Sequence, residues 1–183
     1  YRGSPYCPAA PDLDNPNHGT RNGTIAQSPA GGRITGLVSH GDRVYVFTGG
    51  NVWVLVGDEP IDFSLQPWAN TPGCVAHRTI KSVKDRLLWL AEDGVYMAVE
   101  RQGIARISDR VKNTLDAMTD AERAAAHAVV CDERYFLMWP TGSVVFDLRY
   151  PEPTWSKNTS WNWRTSVCSV PYAGKRSRIF AGA

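Results

Sequence analysis

From Arg33 onward the chain alternates short apolar runs with small polar punctuation. Ile34-Thr35-Gly36-Leu37-Val38 predicts a short strand. Asp42-Arg43 then precedes Val44-Tyr45-Val46-Phe47, a turn at Thr48-Gly49-Gly50-Asn51, and Val52-Trp53-Val54-Leu55-Val56. Short apolar strands bounded by Gly and Asn predict a meander of antiparallel strands, since both residues tolerate the positive φ of tight turns. The phrase returns as Asp85-Arg86, Leu87-Leu88-Trp89-Leu90, a turn ending at Asp93-Gly94, and Val95-Tyr96-Met97. It returns again as Glu133-Arg134, Tyr135-Phe136-Leu137-Met138-Trp139, a turn at Pro140-Thr141-Gly142, and Ser143-Val144-Val145-Phe146. A partial fourth copy starts at Lys175-Arg176.

The arginines make the period explicit. Arg43 to Arg86 is 43 residues, Arg86 to Arg134 is 48, and Arg134 to Arg176 is 42. Repeats of about 40–50 residues with some four strands each are the signature of propeller blades. The expected fold class is therefore all-β, built of four-stranded antiparallel blades. A ring of about 6–8 blades needs more chain than this, which leaves open whether the chain closes a propeller by itself. The longer middle spacing has a local cause. Residues 107–118 predict a helix with Ser108 as N-cap and Val111, Leu115 and Met118 on one face. Thr119 and Glu122 predict a capping box for a second short helix from Asp120 to about Ala126. The helical insertion thus covers about 108–126, and its apolar stripe is expected on a blade edge or on a neighbouring subunit.

Residues 1–32 are rich in Pro, Gly, Asn and Asp and have no apolar period, so they read as an extended arm or loop, with the blades occupying 33–183. The chain starts at Tyr1 and ends in a strand-like Arg178-Ile179-Phe180 running into a turn, so it reads as a piece of a longer chain. The net charge of +2, from 20 basic and 18 acidic side chains, lacks the basic excess usual for phosphate-gripping domains. No apolar run approaches the roughly 20 residues that span a bilayer, so no membrane association is expected. The cysteines, Cys7, Cys74, Cys131 and Cys168, stand far apart and read as free, mostly buried thiols. Asn22-Gly23-Thr24 and Asn158-Thr159-Ser160 fit a glycosylation pattern that short sequences produce by chance.

Catalytic and metal signatures are weak. The four histidines show no strong ligand spacing, and Cys74 with His77 makes at most half a zinc site. Asp12–Asn17 lacks the glycine and glutamate of a calcium loop. No phosphate-binding or nucleophile motif stands out. Asp42, Arg43, Asp85, Arg86, Glu133 and Arg134 recur at one repeat position, and repetition points to shaping hairpins or pairing between blades. Trp161 and Trp163 alternate on one side of what reads as an outer blade strand. They are candidates for partner contact, as are Val111, Leu115 and Met118. No catalytic residue, metal or cofactor is expected, and the chain reads as no enzyme.

Three phrases carry a resemblance to a known family. They are His40-Gly41-Asp42-Arg43-Val44-Tyr45-Val46-Phe47-Thr48 with Asn51-Val52-Trp53-Val54-Leu55; Leu88 to Tyr96 with Ile107-Ser108-Asp109; and Arg134-Tyr135-Phe136-Leu137 with Val145-Phe146-Asp147 and Trp155. Over Ile34 to Trp163 the chain resembles the propeller-containing nozzle, hub and tail-tube-end proteins of short-tailed bacteriophages. The resemblance implies a virion structural component, made in the bacterial cytoplasm and assembled as a ring of several copies around a DNA conduit. Its implied partners are other copies of itself and neighbouring tail or portal-adaptor proteins, with DNA passing transiently. Two alternatives are a cellular propeller scaffold holding a peptide or glycan and a propeller-type polysaccharide-degrading enzyme, since one fold hosts many functions.

Overall fold

In the computed structural model the described residues are 32–57, 63–68, 71–99, 103–150 and 154–157, with the backbone alone of 166–172 and 175–182. They form three four-stranded antiparallel sheets and a hairpin, each sheet built of strands consecutive in the chain. The first blade holds β1 (Ile34–His40), β2 (Arg43–Thr48), β3 (Val52–Val56) and β4 (Ser64–Pro67). The second holds β5 (Lys81–Val83), β6 (Arg86–Ala91), β7 (Gly94–Val99) and β8 (Gly103–Arg106). The third holds β9 (His127–Cys131), β10 (Arg134–Trp139), β11 (Gly142–Asp147) and β12 (Thr154–Lys157). The hairpin joins β13 (Ser166–Tyr172) to β14 (Lys175–Gly182). The first strands approach one another, β5 beside β9 and β13 against β9, while each fourth strand lies outermost. These are β-propeller blades, each running outward from its first strand and stacked face to face.

Register explains the recurring arginines. Arg43, Arg86 and Arg134 each open the second strand of a blade, opposite His40, Val83 and Cys131 across two-residue turns. The first turn residue has positive φ in every case: 60° at Gly41, 54° at Lys84 and 48° at Asp132. Such turns match the right-handed twist of paired strands. In the hairpin β13–β14 the equivalent residue is Lys175, which pairs with Tyr172, so Arg176 stands one place beyond the repeat position. A register irregularity between Val170 and Tyr172 accompanies that shift.

Second and third strands are largely buried on both faces, and the second blade is a layer between the first and the third. One cluster joins Tyr45, Phe47, Val52 and Val54 of the first blade to Leu87, Trp89 and Ala98 of the second. Another joins Leu88, Leu90 and Val95 of the second to Tyr135, Leu137, Val144 and Phe146 of the third. Outer strands show one pattern, exposed except for a single inward residue: Leu65, Ile104 and Trp155. The outer strand of the third blade is therefore β12 with Trp155; Trp161 and Trp163 lie outside the described residues, as do residues 1–31 and both glycosylation patterns.

The insertion departs from the sequence expectation. Residues 109–111 form a 3₁₀ turn, followed by short α-helices Lys112–Asp116 and Asp120–Ala125. The capping box is present: Thr119 accepts from the Glu122 amide while Glu122 accepts from the Thr119 amide. Ser108 caps nothing. Leu115 and Met118, 1% and 6% exposed, belong to the cluster between the second and third blades, and Val111 packs against it. Their stripe is committed to the protein's own core, which removes Leu115 and Met118 from partner contact.

Candidate functional site

The candidate site is the junction between blades. Its charged part is the set of turns led by the recurring arginines. Asp42 and Asp85 each lie 3.8 Å from the arginine that follows them. Glu133 instead reaches Lys84 of the neighbouring blade at 2.8 Å. Arg134 approaches Asp147 at 3.5 Å, and Arg149 holds the same carboxylate at 2.6 Å. The hydrogen bonds from Arg149 hold Asp147 below its usual pKa, outweighing burial. Asp42 is 84% exposed, so its pair contributes little to stability. Between the second and third turns lies a cleft of about 290 Å³ where Lys84, Arg86 and Arg149 alternate with Asp85 and Glu133. Matched charges in this arrangement position two turns against each other.

The second part is a latch built from Ile107-Ser108-Asp109. The Ile107 amide donates to the Val95 carbonyl at 2.9 Å, and the Val95 amide donates to Ser108 Oγ at 3.0 Å. Trp155 of the third blade donates from its indole to the Ile107 carbonyl at 2.7 Å. Arg106 bridges Asp109 and Asp93, and the Tyr96 hydroxyl donates to the same Asp93. Arg123 completes the join by donating to the carbonyls of Glu92 and Leu115, both at 2.8 Å. So Ser108 is an acceptor for a buried strand amide. Ser108→Ala should cost about 1–3 kcal/mol, the penalty of leaving that amide unpaired. Urea denaturation measures it, and Thr119→Ala, which removes the capping box, should cost about 1 kcal/mol in the same assay.

The third part is a buried polar knot at Thr79, in the 3₁₀ turn His77–Thr79 before β5. The Tyr135 hydroxyl donates to the Thr79 carbonyl at 2.9 Å, joining the third blade to the second. Thr79 Oγ1 donates to Ala76 and accepts from the Leu90 amide. Cys74 donates to the Ala76 carbonyl. Cys74 and Cys131 are buried thiols outside any disulfide, and burial raises both pKa values; Cys7 and the Cys168 side chain lie outside the described residues. His77 is exposed and Cys74 is turned into this knot.

Burial, with Cys74 nearby, pushes the Tyr135 phenol well above its ordinary pKa. The unfolded phenol titrates near 10. The folded value lies higher, so the stabilisation is whole below pH about 10 and is lost as pH rises toward the folded value. Stability should fall by about 1.4 kcal/mol per pH unit through that window. Tyr135→Phe should be less stable at neutral pH and show a flatter alkaline slope. Denaturation midpoints from pH 8 to 11 test this, and an unchanged slope would place the alkaline sensitivity elsewhere.

The stacking faces follow one register. Six positions of the second blade, Ile80, Leu87, Trp89, Tyr96, Ala98 and Ile104, pack toward the first. The same positions of the third, Ala128, Tyr135, Leu137, Val144, Phe146 and Trp155, pack toward the second. Counting from Arg43, the first blade has Leu37, Val44, Val46, Trp53, Leu55 and Leu65 there, on the face turned away from the second blade. All six are apolar; Val46 and Trp53 are buried, while Leu37 is 56% exposed where Ile80 and Ala128 are buried. The Trp53 indole has no hydrogen-bond partner among the described residues, whereas Trp89 and Trp155 each reach a backbone carbonyl. Ile34, Val56 and Phe63, at 49%, 40% and 47% exposure, extend the apolar surface of this blade.

Among the described residues no group of three His, Cys, Asp or Glu is placed to hold a metal ion, and no helix is long and apolar enough to cross a membrane. No family model matches the chain, and no curated protein matches it. Among solved structures, one described as "Crystal Structure of the N-terminal Domain of Nup159" is similar over 75% of this chain, at 12% identity and a TM-score of 0.39; the chain spans 36% of that structure's length.

Proposed function

We propose that the chain is a propeller scaffold that works by stacking blade on blade and presenting surfaces to partners. One observation carries this reading: away from the second blade, the first repeats the six apolar positions that bury each later blade on its predecessor, and Leu37 among them is exposed. A face of that composition takes another blade. The recurring Asp42, Asp85 and Glu133 support the same reading, since each is engaged with a cation at a turn.

The finer setting is a short-tailed phage tail, where copies form a ring around the DNA conduit beside other tail or portal-adaptor proteins. Its support is the family resemblance, whose middle phrase coincides with the latch of Asp93, Val95, Tyr96 and Ile107-Ser108-Asp109. Sedimentation of the purified chain should show an assembly that Leu37→Gln weakens without unfolding. A chain that stays monomeric at every concentration defeats the stacking reading. Mass spectrometry of purified particles tests the setting, and absence of the polypeptide there would refute it. Peptide or glycan capture would instead mark a cellular scaffold.

A further inference from the structure

Where the first strands approach one another, a pocket of about 190 Å³ opens between β1, the turn His77–Thr79, β5 and β9. Four basic side chains line it: His77 and Arg78 from the turn, Lys81 from β5 and His127 from β9. Leu37 and Val38 of β1 form an apolar wall, and no carboxylate stands among the described lining residues. Gly36 leaves room for the His77 ring, whose Nδ1 lies 3.1 Å from where a β-carbon would be.

The charge is not a requirement of the fold. Lys81 pairs with Leu88, and the same repeat position in the first and third blades is Val38, opposite Tyr45, and Val129, opposite Phe136. Two blades place valine there and the second places a lysine, which is half-buried. Burying a cation without an opposite charge is unfavourable. Burial, and then the Arg78 guanidinium, lower the Lys81 ammonium pKa. Burial, Arg78 and Lys81 also lower the His127 pKa. Lys81 therefore carries its charge in a partly desolvated space beside the Arg78 guanidinium, where a bound anion would stabilise it. Arg78 is exposed and supplies a planar fork suited to two oxygens of one anion.

We propose that this pocket binds a phosphate-type oxyanion through Arg78 and Lys81, with His77 and His127 completing the shell. The ligand is either free inorganic phosphate or a phosphodiester of a nucleic-acid chain, which share this chemistry. The proposal does not rest on the scaffold reading. The test uses the full chain at constant ionic strength. Inorganic phosphate is titrated against chloride while the imidazole resonances of His77 and His127 are followed by NMR. Expected are saturable shifts with phosphate alone, and affinity reduced by about tenfold or more in Arg78→Gln, a surface change compatible with folding. The pair Arg78→Gln with Lys81→Met should abolish the shifts. Equal responses to phosphate and chloride, or phosphate affinity unchanged in Arg78→Gln, would overturn the proposal. A ten-nucleotide DNA strand that displaces phosphate from the same resonances identifies the phosphodiester source; a strand that leaves them unchanged identifies free phosphate.

Discussion

Trp89→Ala should destabilise the protein by about 3–5 kcal/mol, the range found when a fully buried large aromatic is truncated. Trp89 has no exposed surface and sits at the centre of the junction between the first and second blades. Phe47 meets it edge-on at 5.4 Å, Tyr96 stacks on it at 5.9 Å and 20°, and Trp68 lies 6.3 Å away. Tyr45 continues the column, 4.5 Å from Trp68. The indole donates to the Pro72 carbonyl at 3.2 Å, in the segment that carries the chain from one blade to the next. Truncation would leave a cavity walled by rings that cannot collapse onto one another, and a carbonyl without its donor. Against a typical domain stability of about 5–15 kcal/mol, that is a third or more of the total.

The location of the damage is as informative as its size. Counted from the opening arginine, Trp89 is equivalent to Val46 and Leu137. The first junction is thus aromatic and the second mainly aliphatic, anchored by Tyr135. In Trp89→Ala, hydrogen exchange should speed most in β2, β3, β6 and β7 and least in β11. Trp89→Phe should recover part of the loss, keeping a ring but not the hydrogen bond. A loss below about 1 kcal/mol for Trp89→Ala would mean that this junction does not hold the first blade to the second.

The sequence made the hairpins legible because two signals coincide there: short continuous apolar runs bounded by turn residues, and an acidic residue followed by an arginine where each second strand opens. That arginine proved to mark the first residue of a second strand in all three blades. The capping box at Thr119 and Glu122 was legible for the same reason, a local signal with a local cause. What escaped depends on tertiary partners. Lys84, Asp132 and Glu133 adopt positive φ without the glycine that announces such turns. The outer strands half-bury one residue each, too little to leave a period. Ser108 stands where an N-cap would, but the amide it serves belongs to Val95, thirteen residues earlier. Leu115 and Met118 form the stripe the sequence shows, and only the fold decides that two blades cover it. At Lys175 the misreading came from counting arginines where backbone pairing counts turn length.

The substitution expected to rival Trp89→Ala adds a single methyl group, at Gly73. After β4 the chain crosses over the β2–β3 turn, where the Cys74 amide donates to the Thr48 carbonyl at 2.9 Å. That turn is closed by Thr48, whose hydroxyl and amide both bond the Asn51 carbonyl. A β-carbon on Gly73 would stand 1.8 Å from the Thr48 carbonyl oxygen and 2.8 Å from both the Asn51 nitrogen and the Gly49 carbonyl carbon. All three are backbone atoms of a hydrogen-bonded turn, so no side chain can swing aside. Gly73→Ala must push the crossing segment off the first blade, and Pro72 and Cys74, which serve Trp89 and the Thr79 knot, move with it. The expected cost is about 3 kcal/mol, at the upper end for overpacking a well-filled site. Gly49→Ala and Gly50→Ala in the same turn meet nothing within 4 Å and should stay within about 0.5 kcal/mol of the parent chain. If all three alanines behave alike in urea denaturation, the crossing does not fix the second blade to the first; if only Gly73→Ala collapses, the spacing between blades is set at this one backbone contact.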